Sequence, residues 1–431
     1  MTDHPSPSSF GPIAYLTGTY PRATDTFIQR EVATLRDLGF TIKTCTVRET
    51  DASHHVGAEQ KAEAAATFPV LKNTLNPLTA SRAHAALLRA RPKGWLAALA
   101  LAWRTRPPGL KALIWQVAYF LESGVLSHHL RQNGVKHLHN HFADANGSVA
   151  MLTSTMSGIP FSFTLHGPGI FFEPMKWRID EKIARASFVA CISHFCRAQA
   201  MYFSDQAHWD KLKIVHCGVD PDRYGQDPAR SYAKRVLFVG RLDAVKGVPL
   251  LLQAMARLKG DHPDATLTLV GDGPARADLE AQARDLGVAG DFVGYKSQDD
   301  VAQILDRHDV LVLHSFAEGV PVVLMEAMAA RLPVISSQVA GVGELVQDRV
   351  SGFTIPAGDL ESLVERLDTV MSDPERATQM GQAGRNKVST EFAIKTEMNW
   401  LAQLYQASLQ NTPLPNDLRD APNTTKSSSN D

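Results

Sequence analysis

Along the chain, short unbroken apolar runs alternate with stretches whose apolar positions recur every three to four residues, the spacing of a helix with one buried face. The first half predicts strands at Pro12–Leu16, Thr41–Val47, Lys136–His139, Phe161–Leu165, Phe188–Ile192 and Lys213–His216, with helices such as Thr26–Gly39 and Ala143–Gly158 between them. The second half repeats the alternation. Its strands are Arg235–Val239, Thr266–Val270, Asp291–Val293, Asp309–Leu313, Pro333–Ser336 and Gly352–Ile355, and its helices Val248–Lys259, Ala275–Leu286, Asp299–Arg307 and Pro321–Arg331. Such alternation is the mark of an α/β protein with parallel sheets. It predicts two Rossmann-like units, 1–224 and 225–390, meeting in the Pro- and Gly-bearing stretch Gly218–Lys234. Helices near Leu360–Met371, Glu375–Val388 and Ile394–Leu409 close the pattern, and the Ser-, Asn-, Pro- and Thr-rich stretch 411–431 predicts a disordered tail.

One segment breaks the rhythm. Ser81–Arg131 reads as a long helical insert carrying Trp95, Trp103, Trp115 and several Arg and Lys. A basic face with tryptophans suits a membrane surface or a lipid-linked substrate, and equally suits a plain cover for a core. Its longest apolar run, Trp95–Trp103, has nine residues, against the roughly 20 needed to cross a bilayer. Met1–Ser9 lacks the charged and apolar regions of a signal peptide. Together with four scattered cysteines that form no framework, this predicts a cytoplasmic protein. Charge narrows the partners further: 44 Lys and Arg against 45 Asp and Glu give no overall field to gather nucleic acid.

The densest chemistry lies in Ser315–Met328, directly after the strand Asp309–Leu313. A helix is predicted to start near Val320, with Pro321 in its first turn, where the missing N–H costs nothing. Free N–H groups and the positive end of the helix dipole make such a start a site for a diphosphate, contacted by Gly319, Val320, Pro321 and Val322. Glu326 lies about 9 Å along that helix, roughly the reach from a diphosphate to the ribose of a nucleotide. Glu318, in the loop before it, is placed to hold hydroxyls of a sugar on the diphosphate. Seven residues separate the two glutamates.

Other strand ends add to this. Gly240 leaves the strand Arg235–Val239, and Arg241 and Lys246 bracket the following turn, a pair of cations suited to a leaving diphosphate. Surface ion pairing is the simpler alternative for both. Gly271 begins Gly271–Pro274, which fails as a dinucleotide glycine loop because Arg276 stands in place of the third glycine; it reads as a tight turn lining the cleft. Gly294 and Tyr295 are placed to meet a base, or Tyr295 simply caps the strand edge. In the first half, Gly18 permits close approach of a ligand or equally just turns the chain, and His166, which as a lone histidine could be structural, sits at the carboxyl end of a strand, where ligands gather in open α/β sheets. His137, His139 and His141 share one strand face, but with no carboxylate or cysteine at ligand spacing nearby. Asp220 and Asp222 belong to the connecting loop, so no metal site is predicted.

These pieces resemble the family-4 (group 1) glycosyltransferases, retaining enzymes of GT-B fold, and in flavour those of bacterial exopolysaccharide and colanic acid biosynthesis. The likeness runs from about residue 11 to 408 and rests on Tyr20–Ile28, His137–Phe142, Pro160–His166, His216–Asp220, Gly240–Asp243 with Lys246 and Gly247, the E-x7-E segment and Ser351–Phe353. Two departures stand out: Thr24–Thr26 where the family usually reads Ser-Glu-Thr, and Gly341–Glu344 in place of Gly-x-Pro-Glu. The resemblance implies two Rossmann-like domains facing across a cleft, with helix 391–410 returning to the first. It implies a UDP- or GDP-linked sugar as donor substrate, held mainly by the second domain, no cofactor, and a glycan or lipid-linked acceptor on the first. It places Arg241 and Lys246 on the diphosphate, Glu326 on the ribose and Glu318 against the donor sugar, with His166 and Gly18 on the opposite wall. A sugar-nucleotide 2-epimerase of similar build, and a non-catalytic nucleotide-sugar binder, are the competing readings.

Overall fold

A computed structural model of the chain describes residues 11–22, 25–51, 54–55, 57–167, 169–225 and 231–416. The expectations for Met1–Ser9, Thr24 and the tail beyond residue 416 lie outside them. The apolar runs assemble into two parallel sheets. The first contains β1 (Ile13–Thr19), β2 (Ile42–Arg48), β3 (Phe68–Pro69), β4 (His137–His141), β5 (Phe161–Leu165), β6 (Val189–Cys191) and β7 (Leu212–Ile214), in the order β3-β2-β1-β4-β5-β6-β7. The second contains β8 (Arg235–Val239), β9 (Thr266–Val270), β10 (Gly290–Gly294), β11 (Val310–Leu313), β12 (Val334–Ser337) and β13 (Gly352–Ile355), in the order β10-β9-β8-β11-β12-β13. The short β3 is the one strand of these that the hydrophobic pattern does not predict.

In each sheet the order reverses beside its first strand, between β1 and β4 and between β8 and β11. Ligands in open α/β sheets collect at such switch points, outside the carboxyl ends of the strands. Strands such as β5 and β11 are buried along their whole length, as strands covered by helices on both faces must be. The connecting helices place their apolar stripes on this core; Val248–Leu258 buries Val248, Leu251, Leu252, Met255 and Leu258.

The insert begins earlier than its composition suggests. Asn76 accepts hydrogen bonds from the N–H groups of Leu78 and Thr79 at 3.1 and 3.2 Å, capping a helix Pro77–Ala90 that is followed by Pro92–Thr105 and Leu110–Gln132. Trp95 is partly buried against Phe120, while Trp103 and Trp115 remain exposed. No helix among the described residues is long and apolar enough to cross a membrane. The helix Ile394–Gln410 packs on the first sheet's side of the molecule: Trp400 donates to the Ile214 carbonyl at 2.9 Å, and the Tyr405 and Tyr15 hydroxyls lie 2.7 Å apart.

β4 is a polar strand inside the core, and its histidines are fully buried. Ser162 serves both His137 Nε2 (2.7 Å) and His139 Nδ1 (2.8 Å), while Thr164 meets His139 Nε2 (2.9 Å). Contrary to the expectation from the sequence, a carboxylate does stand beside them. Glu31 Oε1 lies 3.4 Å from His141 Nε2 and 3.9 Å from His139 Nε2, and accepts from the Tyr15 hydroxyl at 2.7 Å. These three are grouped closely enough to hold a metal ion, yet both His139 nitrogens are already engaged by hydroxyls. Sequence spacing could not show Glu31, which arrives from the separate helix Thr26–Asp37.

Burial pushes His137 down to about 3, so it is neutral in the folded protein. An unfolded histidine titrates near 6.5, so on acidification the unfolded chain takes the proton first. His137 therefore contributes stability that is complete above about pH 6.5 and is lost as pH falls toward its folded value, by about 1.4 kcal/mol per pH unit. In urea unfolding between about pH 6 and pH 4, His137→Asn should shallow the decline by that slope; identical slopes in the two proteins would refute it.

Candidate active site

The two switch points face each other across a cavity of about 390 Å³. The second unit supplies the ends of β8, β9 and β11 and the start of the helix Val322–Ala329; the first supplies His166 from the end of β5 and Phe27 from the helix Thr26–Asp37. Every residue singled out from the sequence as a site candidate lines it except Gly18 and Gly294.

The helix starts two residues later than predicted. Pro321 is extended (ψ 119°) and occupies the cap position, with no side chain capping the helix. Its first turn thus presents free N–H groups and the positive end of the dipole to the cavity. Lys246 meets Glu318 there, Nζ to Oε1 2.5 Å, with both side chains largely buried. Arg241 is half exposed and lies 3.5 Å from Asp243.

Glu326 reaches the cavity but is already engaged. Arg30, from the first unit, donates through Nη2 to Glu326 Oε1, to the Tyr224 hydroxyl at 3.0 Å and through Nε to Gln298 Oε1 at 3.1 Å. Tyr224 in turn donates to Glu326 at 3.2 Å. Sequence reasoning missed Arg30. It lies four positions after Thr26 and three after Phe27, both cavity residues, so helical periodicity was the available signal.

On the opposite wall, burial and then the neighbouring His141 hold His166 well below the usual imidazole range, so it is uncharged. Its Nε2 lies 2.9 Å from His141 Nδ1 and its Nδ1 3.7 Å from Cys217 Sγ. The walls touch at Gly319, where an added Cβ would lie 2.2 Å from the His166 carbonyl oxygen. A second bridge comes from Glu344 in the departing Gly341–Glu344 motif: its two oxygens accept from the His194 and Phe195 N–H groups, each at 2.8 Å. Gly319→Ala must separate the walls, and we expect it to destabilise the protein by about 1–3 kcal/mol. An unaltered urea midpoint would contradict that contact.

The remaining candidates have structural settings. The Gly271 N–H donates to the Gly294 carbonyl at 2.9 Å, so Gly294 braces the turn from behind the cavity wall. Tyr295 lines the cavity, its hydroxyl 3.4 Å from the Asp272 carbonyl. Arg276 binds Asp272 and Glu280 at 3.0 and 2.8 Å, locking the turn that is not a dinucleotide loop. Asp220 caps a short turn, accepting from the Asp222 N–H at 3.2 Å, and Asp222 lies 3.6 Å from Arg385. Gly18 lines a different, larger cavity in the first unit. The two cavities adjoin at one loop, where Phe142 faces the first and Asp144 the second.

Two parallel Rossmann-like units facing across a cleft form a GT-B fold. Solved structures of that architecture match almost the whole chain. Sucrose-phosphate synthase from Thermosynechococcus elongatus does so at TM-score 0.71 and 19% identity, over 93% of this chain and 100% of that one. Anabaena HepE in complex with UDP-glucose does so at TM-score 0.68 and 18% identity, over 92% and 99%. Residues 226–387 match the family model "Glycosyl transferases group 1", and residues 94–223 match "Glycosyltransferase Family 4". The chain belongs to this glycosyltransferase family. Among curated relatives, the amylovoran biosynthesis glycosyltransferase AmsK of Erwinia amylovora is 32% identical over 46% of this chain and 51% of its own. The putative colanic acid biosynthesis glycosyltransferase WcaL of Escherichia coli is 30% identical over 46% and 52%. The matched segment thus spans about half the length of these relatives.

Proposed function

We propose that the protein transfers a hexosyl unit from a UDP- or GDP-linked sugar to a glycan or lipid-linked acceptor in cell-surface polysaccharide synthesis, with retention of configuration. The observation that carries this is the gathering of an uncapped helix start, Lys246, Glu318 and Glu326 in one cavity, opposite the uncharged His166. The diphosphate lies on the helix start and Lys246; Arg241 swings in from the mouth to reach it. Glu326 accepts from the ribose hydroxyls and Glu318 from the donor sugar. The bond between the anomeric carbon and the diphosphate oxygen breaks as the acceptor oxygen bonds to that carbon. The acceptor proton passes to the departing phosphate oxygen, on the same face of the sugar. Preorganised positive charge stabilises the leaving group without reorganisation, and contact between the two walls limits hydrolysis by excluding water. The chemistry proceeds without a metal, in the cytoplasm, with a peripheral contact to the membrane.

A sugar-nucleotide 2-epimerase is not favoured, since the curated relatives are named as transferases and synthases. Thermal-shift screening with UDP-, GDP- and ADP-sugars tests the donor reading, because a bound ligand raises the melting point by mass action. No shift with any of them would overturn it. The anomeric configuration of the product, read by NMR, tests retention: an inverted linkage would refute it.

A further inference from the structure

A line of buried polar side chains runs from the helix Ile394–Gln410 to the wall of the donor cavity. It starts at Tyr405, passes Tyr15 on β1, Glu31 and His141 on β4, and ends at His166. The Tyr405 and Tyr15 hydroxyls lie 2.7 Å apart, and Tyr15 donates to Glu31 Oε1 at 2.7 Å. Glu31 Oε1 lies 3.4 Å from His141 Nε2, and His141 Nδ1 lies 2.9 Å from His166 Nε2. All five side chains are buried. The transfer chemistry above uses only the last of them, so the other four call for a reason.

The hydrogens along this line can be placed. Tyr15 gives its hydroxyl hydrogen to Glu31, so Tyr405 donates to Tyr15. His139 is occupied elsewhere, because the Ser162 and Thr164 hydroxyls engage both its nitrogens. His141 Nε2 is buried and makes no hydrogen bond, which leaves Glu31 Oε1 as the charged atom it must accommodate. Inside a protein a carboxylate oxygen at that distance attracts an N–H and repels a lone pair, more strongly than in water. Near pH 8, above the ordinary imidazole range, each ring holds one proton, and a neutral ring donates through one nitrogen and accepts through the other. His141 with its proton on Nε2 has a bare Nδ1. The 2.9 Å contact then takes its hydrogen from His166 Nε2, and His166 Nδ1 is left bare in turn. That atom lies 3.7 Å from the Cys217 sulfur, and His166 and Cys217 both line the donor cavity. Phe27 and Phe142, with ring centroids 4.8 and 4.7 Å away, hold the His166 ring in place.

We propose that Glu31 is a positioning residue: acting through His141, it fixes His166 in the Nε2–H form, so that His166 offers the donor sugar a hydrogen-bond acceptor at Nδ1. This rests on the transferase reading above, in which His166 faces the donor. It also makes the wall selective. A sugar hydroxyl can donate to Nδ1, whereas a carboxylate oxygen at the same point would meet a lone pair. The tautomer of a histidine is set by the partner of its other nitrogen, and here that partner is itself set by Glu31.

Long-range proton–nitrogen NMR of the full chain, with nitrogen-15 in its histidines and no ligand, tests this at pH 8. The His166 signals are those lost in His166→Gln. They should show the Nε2–H form alone. Glu31→Gln keeps the shape and removes the charge, and should bring in the Nδ1–H form. With a nucleotide-sugar the same variant should lose about three- to tenfold in kcat, one hydrogen bond's worth, while its affinity for UDP or GDP stays level. His166 in the Nδ1–H form in the unaltered protein, or a spectrum unmoved by Glu31→Gln, would overturn the proposal. The same spectrum settles the competing use of this cluster. A metal ion on Glu31, His139 and His141 would take His141 Nε2, shift its proton to Nδ1 and force the opposite form on His166. Should Glu31→Gln fail to fold, the unaltered protein's spectrum still decides between the two forms. Because the tautomer is read without ligand, a failure of the transferase reading shows separately, as absence of nucleotide binding.

Discussion

Glu326→Ala should destabilise the protein by about 3–5 kcal/mol before any ligand is added. Arg30 and Glu326 are both about nine-tenths buried, and truncating the carboxylate leaves a guanidinium inside the protein without its counter-charge. Replacing both partners removes that penalty, because a buried ion pair exchanged for apolar residues of similar volume is often neutral or better. Arg30→Met/Glu326→Leu should therefore recover most of the loss in urea unfolding. It should not recover nucleotide affinity. Hydroxyls hydrogen-bonded to a carboxylate contribute about 1.5–3 kcal/mol, so both variants should bind the cognate nucleotide roughly ten- to a hundredfold more weakly. If the double variant binds nucleotide as well as the unaltered protein, Glu326 does not hold the ribose.

The second large effect concerns Lys246 and Glu318, which hold each other at 2.5 Å in the structure. Lys246→Ala removes a fixed positive charge from the point where negative charge grows, and should lower turnover by roughly 10²–10³. Glu318→Ala should lower turnover by a comparable factor through the donor sugar while leaving nucleotide affinity level or slightly improved, since Lys246 is freed for the diphosphate. Lys246→Ala should also weaken binding of the bare nucleotide, by loss of a charge on the diphosphate, whereas Glu318→Ala should not. Calorimetry that finds both weakened alike would break the division of roles between them.

What the sequence could and could not convey follows from distance along the chain. The strands β5, β8, β9 and β13 were legible to the residue, because short runs rich in Val, Thr, Phe and Leu bounded by turn residues read as strands. Glu318, Lys246 and the uncapped helix start were legible for a related reason: strand ends in a parallel sheet converge, whatever the rest of the fold does. Arg30 and Glu31 were not. They sit side by side on one helix and point to different partners, Glu326 some 300 positions away and the β4 histidines about 110 away, and no local pattern encodes either meeting. Gly18 was read as approaching the donor from the opposite wall, or as a plain turn, and only the folded chain shows that its loop lines the larger cavity instead. Pro321 was read as lying in the first helical turn and is the cap instead, the kind of one- or two-residue displacement that boundaries always carry.

The Ile394–Gln410 helix has a consequence for biogenesis. Ile13, Tyr15, Ile28 and Phe188 share one apolar cluster with Met398, Trp400, Leu401 and Tyr405, so the amino-terminal half is not finished by its own residues. During synthesis those early side chains leave the ribosome long before the segment that covers them, and they must wait exposed while the second half is translated. That interval, in which sticky surface is bare, makes the nascent amino-terminal half a natural client for chaperones.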